Sequence, residues 1–140
     1  MIKKDTIEYR FVSLIGLAGE IRTDELYKLD YGKEYIRKTI SRLNSNGFIK
    51  VYKYCFEKYL RLTPKCKNYL RTNFSERFSD TFTGASSTNK IRNDDYRRER
   101  YHRLAEVLFM LNMADVKIFP DEKTLMKNTH GFTRADNTDL

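Results

Sequence analysis

Apolar positions return at helical spacing through the first half of the chain. Ile7, Phe11, Leu14, Ile15 and Ala18 form one stripe, which predicts a helix over residues 6–18 ended by Gly19. Glu20-Ile21-Arg22 is a link short enough to place Ile21 in a small strand. Thr23 then has the chemistry of an N-cap, and Asp24 and Glu25 put negative charge in the first turn of a second helix with Leu26 and Leu29 inward. Asp30-Tyr31-Gly32 makes a brief turn into a third helix over residues 33–45, whose stripe is Ile36, Ile40 and Leu43. Its opposite face carries Lys33, Glu34, Arg37, Lys38, Ser41 and Arg42. Asn46-Gly47 tolerates the left-handed conformation that ends a helix, and the β-forming run over residues 48–62 predicts two strands around an exposed turn. Thr63 as cap and Pro64 in the first turn open a fourth helix, which returns Tyr69 and Leu70 to the core.

The pattern weakens after residue 70. Phe74, Phe78 and Phe82 recur every four residues, predicting a helical turn or two clamped on the body. Thr83-Gly84-Ala85-Ser86-Ser87-Thr88 follows as a loop, so residues 73–93 are expected to be a mobile connector. A long helix over residues 95–113 begins basic, with Arg97, Arg98, Arg100 and Arg103. It ends almost wholly apolar between Leu104 and Ala114. One small core cannot cover it on all sides, so a second subunit or another domain is expected to cover it, a homodimer packing through Leu104, Val107, Leu108, Met110 and Leu111. Leu104, Leu108 and Leu111 share the stripe assigned to the core, while Val107, Met110 and Ala114 are left open. Val116-Lys117-Ile118-Phe119 predicts a strand closed by Pro120, completing a region over residues 94–126. Residues 127–140 have almost no core-forming content and are expected to be a tail or the cut end of a longer chain.

Charge sharpens this picture. The chain of 140 residues has a formal net charge of +8. Residues 33–67 hold ten Lys or Arg against Glu34 and Glu57, so the whole excess lies in the third helix and the hairpin. A single-sign field on a compact segment attracts polyanions. Cys55 and Cys66 form no Cys-x-x-Cys pair and lie far from His102 and His130, so neither a metal site nor a disulfide framework is expected. No cofactor motif is present: there is no Gly-rich phosphate loop and no nucleophile elbow, and no enzyme activity is expected. Lys3 and Lys4 precede an apolar run, but Asp5, Glu8, Ser13 and Gly16 break any secretory pattern. The expectation is a cytoplasmic protein with no membrane contact.

The order of helix, brief turn, basic helix, aromatic and basic hairpin, then Leu62-Thr63-Pro64-Lys65-Cys66 resembles the winged helix-turn-helix family. Cys66 stands where that family usually has glycine. The resemblance implies an α+β fold, mainly α, with a winged domain over residues 1–72 followed by a long C-terminal helix. It further implies double-stranded DNA as partner, with residues 33–45 in the major groove and the hairpin on the backbone. Lys33, Arg37, Lys38, Ser41 and Arg42 are the expected groove contacts, and Lys50, Lys53, Lys58 and Arg61 the backbone contacts. The basic-then-apolar helix around Tyr101-His102-Arg103-Leu104 also resembles the replication-relaxation proteins of plasmids and conjugative elements, which implies a role in their replication, transfer or control. Two functions stay open on these grounds. One is a dimeric DNA-binding regulator or control protein, and the other is a winged module that binds proteins.

Overall fold

Thr6 opens α1 (Ile7–Ala18): its hydroxyl accepts from the Tyr9 N–H at 3.2 Å and donates to the Lys3 carbonyl at 2.6 Å. Gly19, at φ 91°, closes it. The computed structural model describes residues 2–79, 95–119 and 121–122, with only the backbone of 95–98. The elements that follow α1 are β1 (Ile21–Arg22), α2 (Thr23–Tyr27), α3 (Lys33–Ser45), β2 (Ile49–Tyr54), β3 (Glu57–Leu62), α4 (Pro64–Asn73), α5 (Ser75–Phe78) and α6 (Asp95–Met113). The protein is thus α+β and mainly helical, and the described residues hold one small antiparallel sheet in the order β1-β3-β2.

Local chemistry accounts for most boundaries. Gly47 at φ 75° lets the Phe48 N–H reach the Leu43 carbonyl at 2.9 Å while the Gly47 N–H bonds Asn44 at 3.1 Å, a Schellman closure of α3. Lys65 adds a bond to the Asn46 carbonyl at 2.9 Å. Thr63 caps α4 by accepting from the Cys66 N–H at 3.1 Å. Cys66, in place of the expected glycine, is fully buried, and burial pushes its thiol up to about 12, so it packs as a small apolar group. Thr23 does not cap α2. Arg22 holds that position, and the Thr23 hydroxyl instead donates to the Lys58 carbonyl at 3.1 Å, tying α2 to β3.

α1 is the centre of the core. Phe11, Val12, Leu14 and Ile15 have no exposed surface, and Ser13 is buried with them, so the helix is covered on more than the one stripe its spacing predicts. The sheet and α3 cover one side with Ile21, Leu60, Leu62, Ile36 and Leu43. α6 covers another with Ala105 and Phe109, fastened by Arg10, whose Nε donates to Asn112 Oδ1 at 2.9 Å. The clamped phenylalanines are present at Phe74 and Phe78, against Tyr9 at ring distances of 4.7 and 6.4 Å. Residues 74–78 are therefore packed on the body, although the sequence predicts a connector from residue 73. Phe82, most of the connector and the tail over residues 127–140 lie outside the described residues.

Val116 to Phe119 do not form a strand and pair with none of the three strands. Asp115 turns the chain at φ 60°, and Ile118 and Phe119 bury their side chains instead. Arg77 clamps this return. Its guanidinium lies 4.0 Å from the Phe119 ring centroid and 4.9 Å from that of Tyr9, and donates to both Asp121 oxygens at 2.9 and 3.2 Å. No helix among the described residues is long and apolar enough to cross a membrane.

Candidate nucleic-acid interface

Of the ten basic side chains between residues 33 and 67, eight lie exposed, on α3, the hairpin and the start of α4. Three of the expected α3 contacts, Lys33, Lys38 and Ser41, face solvent, Lys38 near enough to Glu34 to add to the positive field on its carboxyl. The other two are engaged. Arg37 donates through Nε to both Glu34 oxygens, at 3.1 and 3.0 Å, and these bonds hold the exposed Glu34 carboxyl below its usual range. Arg42 reaches across to α1, where Nη2 donates to Glu8 Oε1 at 2.6 Å. The exposed centre of α3 is therefore Glu34, Lys38 and Ser41, with Arg37 beside them and Arg42 drawn to the rim. Ile40 is only half-buried, and Thr39 takes the core position beside Ile36 and Leu43.

The hairpin divides its side chains by face. Its register pairs Val51 with Leu60 and Ile49 with Leu62 toward the core, and on that same face, nearer the tip, Lys53 stands directly opposite Lys58. Both lysines are exposed. The other face carries Lys50, Tyr52, Tyr54, Tyr59 and Arg61. Lys50 is exposed, with its ammonium 5.5 Å from the Tyr52 ring centroid.

Arg61 is not a surface contact. It is buried, 5% exposed, and ion-paired with Glu20, which has no exposed surface. Alternation places Arg61 on the outer face of the hairpin, but β3 is the middle strand and α6 covers that face too. His102 of α6 stacks on Tyr59 at 4.1 Å between ring centroids, and its Nε2 lies 2.7 Å from Glu20 Oε1. Glu20 is thus held between β3 and α6, and Arg61 also lies 4.4 Å over the Tyr52 ring. Nothing in the local sequence marks Glu20 or His102 for this role.

Lys67 is the second basic residue withdrawn from the surface. Burial, and then the positive charge of Arg61, push its pKa down to about 8. Below pH 8 the lysine is charged whether the chain is folded or not, and the fold bears the cost of enclosing that charge. Between about pH 8 and its ordinary value of 10.5 the unfolded chain binds the extra proton, so stability rises with pH there. The buried Cys66 thiol opposes this rise from about pH 9, its ordinary value, and Tyr9 and Tyr59, whose pKa values burial raises, turn the trend downward above about pH 10. Urea unfolding of the wild type at pH 7.5 and 9.5 is expected to show the rise. Lys67→Met is expected to be more stable than wild type at pH 7.5 and to lose stability towards pH 9.5, because the unfolded Cys66 thiol ionises there and the buried one does not.

A scan against protein-family models and searches of curated proteins and of solved structures found no match to this chain.

Proposed function

We propose that the protein is a dimeric DNA-binding protein of winged helix-turn-helix type. It would act as a transcriptional regulator or as a control protein of mobile-element replication or transfer, with α3 in the major groove, the hairpin as wing, and α6 as the dimer contact. The observation that carries the reading is the Lys53–Lys58 pair. Like charges directly opposite on one face of a ribbon destabilise the hairpin, and no acidic residue of the hairpin itself lies on that face. A polyanion along the ribbon would turn that cost into binding energy. Lys33, Lys38, Lys50 and Lys65 extend the same field over α3 and the base of the ribbon. On α3, Lys38 and Ser41 suit acceptor groups of the groove, and Arg37 would exchange Glu34 for a guanine edge.

Binding to a mixed-sequence duplex is expected to weaken with salt at a log-log slope of about −4 to −5, as four to six neutralised phosphates require. Lys53→Ala with Lys58→Ala is expected to weaken all sequences alike and reduce the slope by about 2, whereas Arg37→Ala should lower discrimination between sequences. Absence of binding at low salt, or a slope near zero, would favour a winged module that binds proteins.

A further inference from the structure

At the tip of the hairpin, Cys55 and Phe56 form a two-residue turn with both residues in the left-handed region, φ 51° and 66°. Such turns are ordinarily filled by Asn and Gly, because a side chain there is strained, and an aromatic one most of all. Phe56 is nonetheless completely exposed, more than any other large apolar side chain among the described residues. It gains nothing from the fold to offset its strain and hydration. Just behind it, Lys53 and Lys58 flank the ribbon on one face, while Glu57 pairs with Tyr54 on the opposite face. Six-residue strands carry this tip roughly 20 Å from their base, and a minor groove about 6 Å wide admits a single aromatic edge.

We propose that Phe56 is a wedge that enters a base step of duplex DNA from the minor groove, with Lys53 and Lys58 on the phosphates either side. This rests on the duplex-binding reading above. Insertion would bury the ring between bases, partly unstack the step and bend the duplex, which is easiest at flexible TA steps and hardest in an A-tract. A solvated aromatic at the end of a cationic ribbon fits that task better than it fits an apolar protein surface, where the unpaired lysines would have to be desolvated.

The test uses two end-labelled 24-base-pair duplexes, one with central TA steps and one with an A-tract, each with 2-aminopurine in the central steps. Anisotropy reads binding, 2-aminopurine emission reads unstacking, and energy transfer between the ends reads bending. The wild type is expected to bind the TA duplex, raise emission severalfold and shorten the end-to-end distance, with a smaller response on the A-tract. Phe56→Leu keeps an apolar wedge and should retain most of the response. Phe56→Ser should remain folded, since the side chain packs on nothing, and bind roughly tenfold more weakly with no rise in emission. Wild-type binding without an emission change, or an equal change with Phe56→Ser, overturns the wedge and leaves the DNA reading standing. Failure of the wild type to bind either duplex in anisotropy overturns both.

Discussion

Replacing Glu20 with Ala is expected to destabilise the protein by about 3–5 kcal/mol, the range for breaking a buried ion pair from one side. For a chain of this size that lowers the thermal midpoint by on the order of 10 °C or more. Arg61 would be left charged and enclosed, and its Nη2 already lacks a hydrogen-bond partner, so no second acceptor stands ready to take over. His102 would lose its carboxylate at the same time and keep its ring contacts with Tyr59 and Tyr54. The double change Glu20→Leu with Arg61→Met should recover most of the loss, since an apolar pair of similar volume avoids the desolvation of both charges. Thermal unfolding by circular dichroism checks both variants. A Glu20→Ala midpoint within a few degrees of wild type would mean that water reaches Arg61.

Glu at both Val107 and Met110 is expected to give a folded monomer with DNA affinity roughly 10²- to 10⁴-fold below wild type, the range lost when two linked contacts become one. Ala105 and Phe109 face the core, and Leu108 and Leu111 are half-buried against it, so α6 remains docked in such a variant. Leu104, Val107, Met110 and Met113 keep 45%, 53%, 66% and 41% of their surface exposed, with Val116 at 42%. Leu104 therefore belongs to the open face and not to the covered stripe its spacing predicts. Two copies pairing by this face would bury ten such side chains, each about half exposed, for a gross gain on the order of 10 kcal/mol. Association itself costs about 4–15 kcal/mol, so at most about 6 kcal/mol remains, and the proposed dimer is expected to dissociate at tens of micromolar or above unless DNA holds the two copies together. Phe74 and Phe78 do not cover this face from within the chain, because both are packed on Tyr9. Light scattering across a concentration series, with anisotropy on DNA, reads both effects. A wild type that stays monomeric at high concentration, or a variant with unchanged affinity, removes the dimer from the proposal.

Every element through α4 was legible within a residue or two, because each boundary rests on chemistry confined to a few neighbouring positions. Thr6 and Thr63 cap, Gly19 and Gly47 take left-handed φ, Pro64 opens a helix, and Ile36 and Leu43 mark the buried side of α3. The charge of residues 33–67 was equally plain, being a count. The partners of those charges were not. Arg37 turns to Glu34 within its own helix, a neighbour the spacing could offer, but Arg42 turns to Glu8, thirty-four residues away.

The sequence by itself determined the helices of the first half, the hairpin, its alternation and the basic excess of the segment they form, since hydrophobic period, capping and charge all act over a few residues. Only the tertiary structure decided which of two alternating faces is covered, and by what. α6 folds back over the sheet's second face, so Arg61 and Tyr59 go inside with Glu20 and His102, while Lys53 and Lys58, nearer the tip, stay in solvent. The same packing closes Phe109 away and leaves Met110 open. It also left Val116 to Phe119 outside the sheet with Ile118 and Phe119 buried, since whether an apolar run pairs as a strand depends on where the rest of the chain has gone.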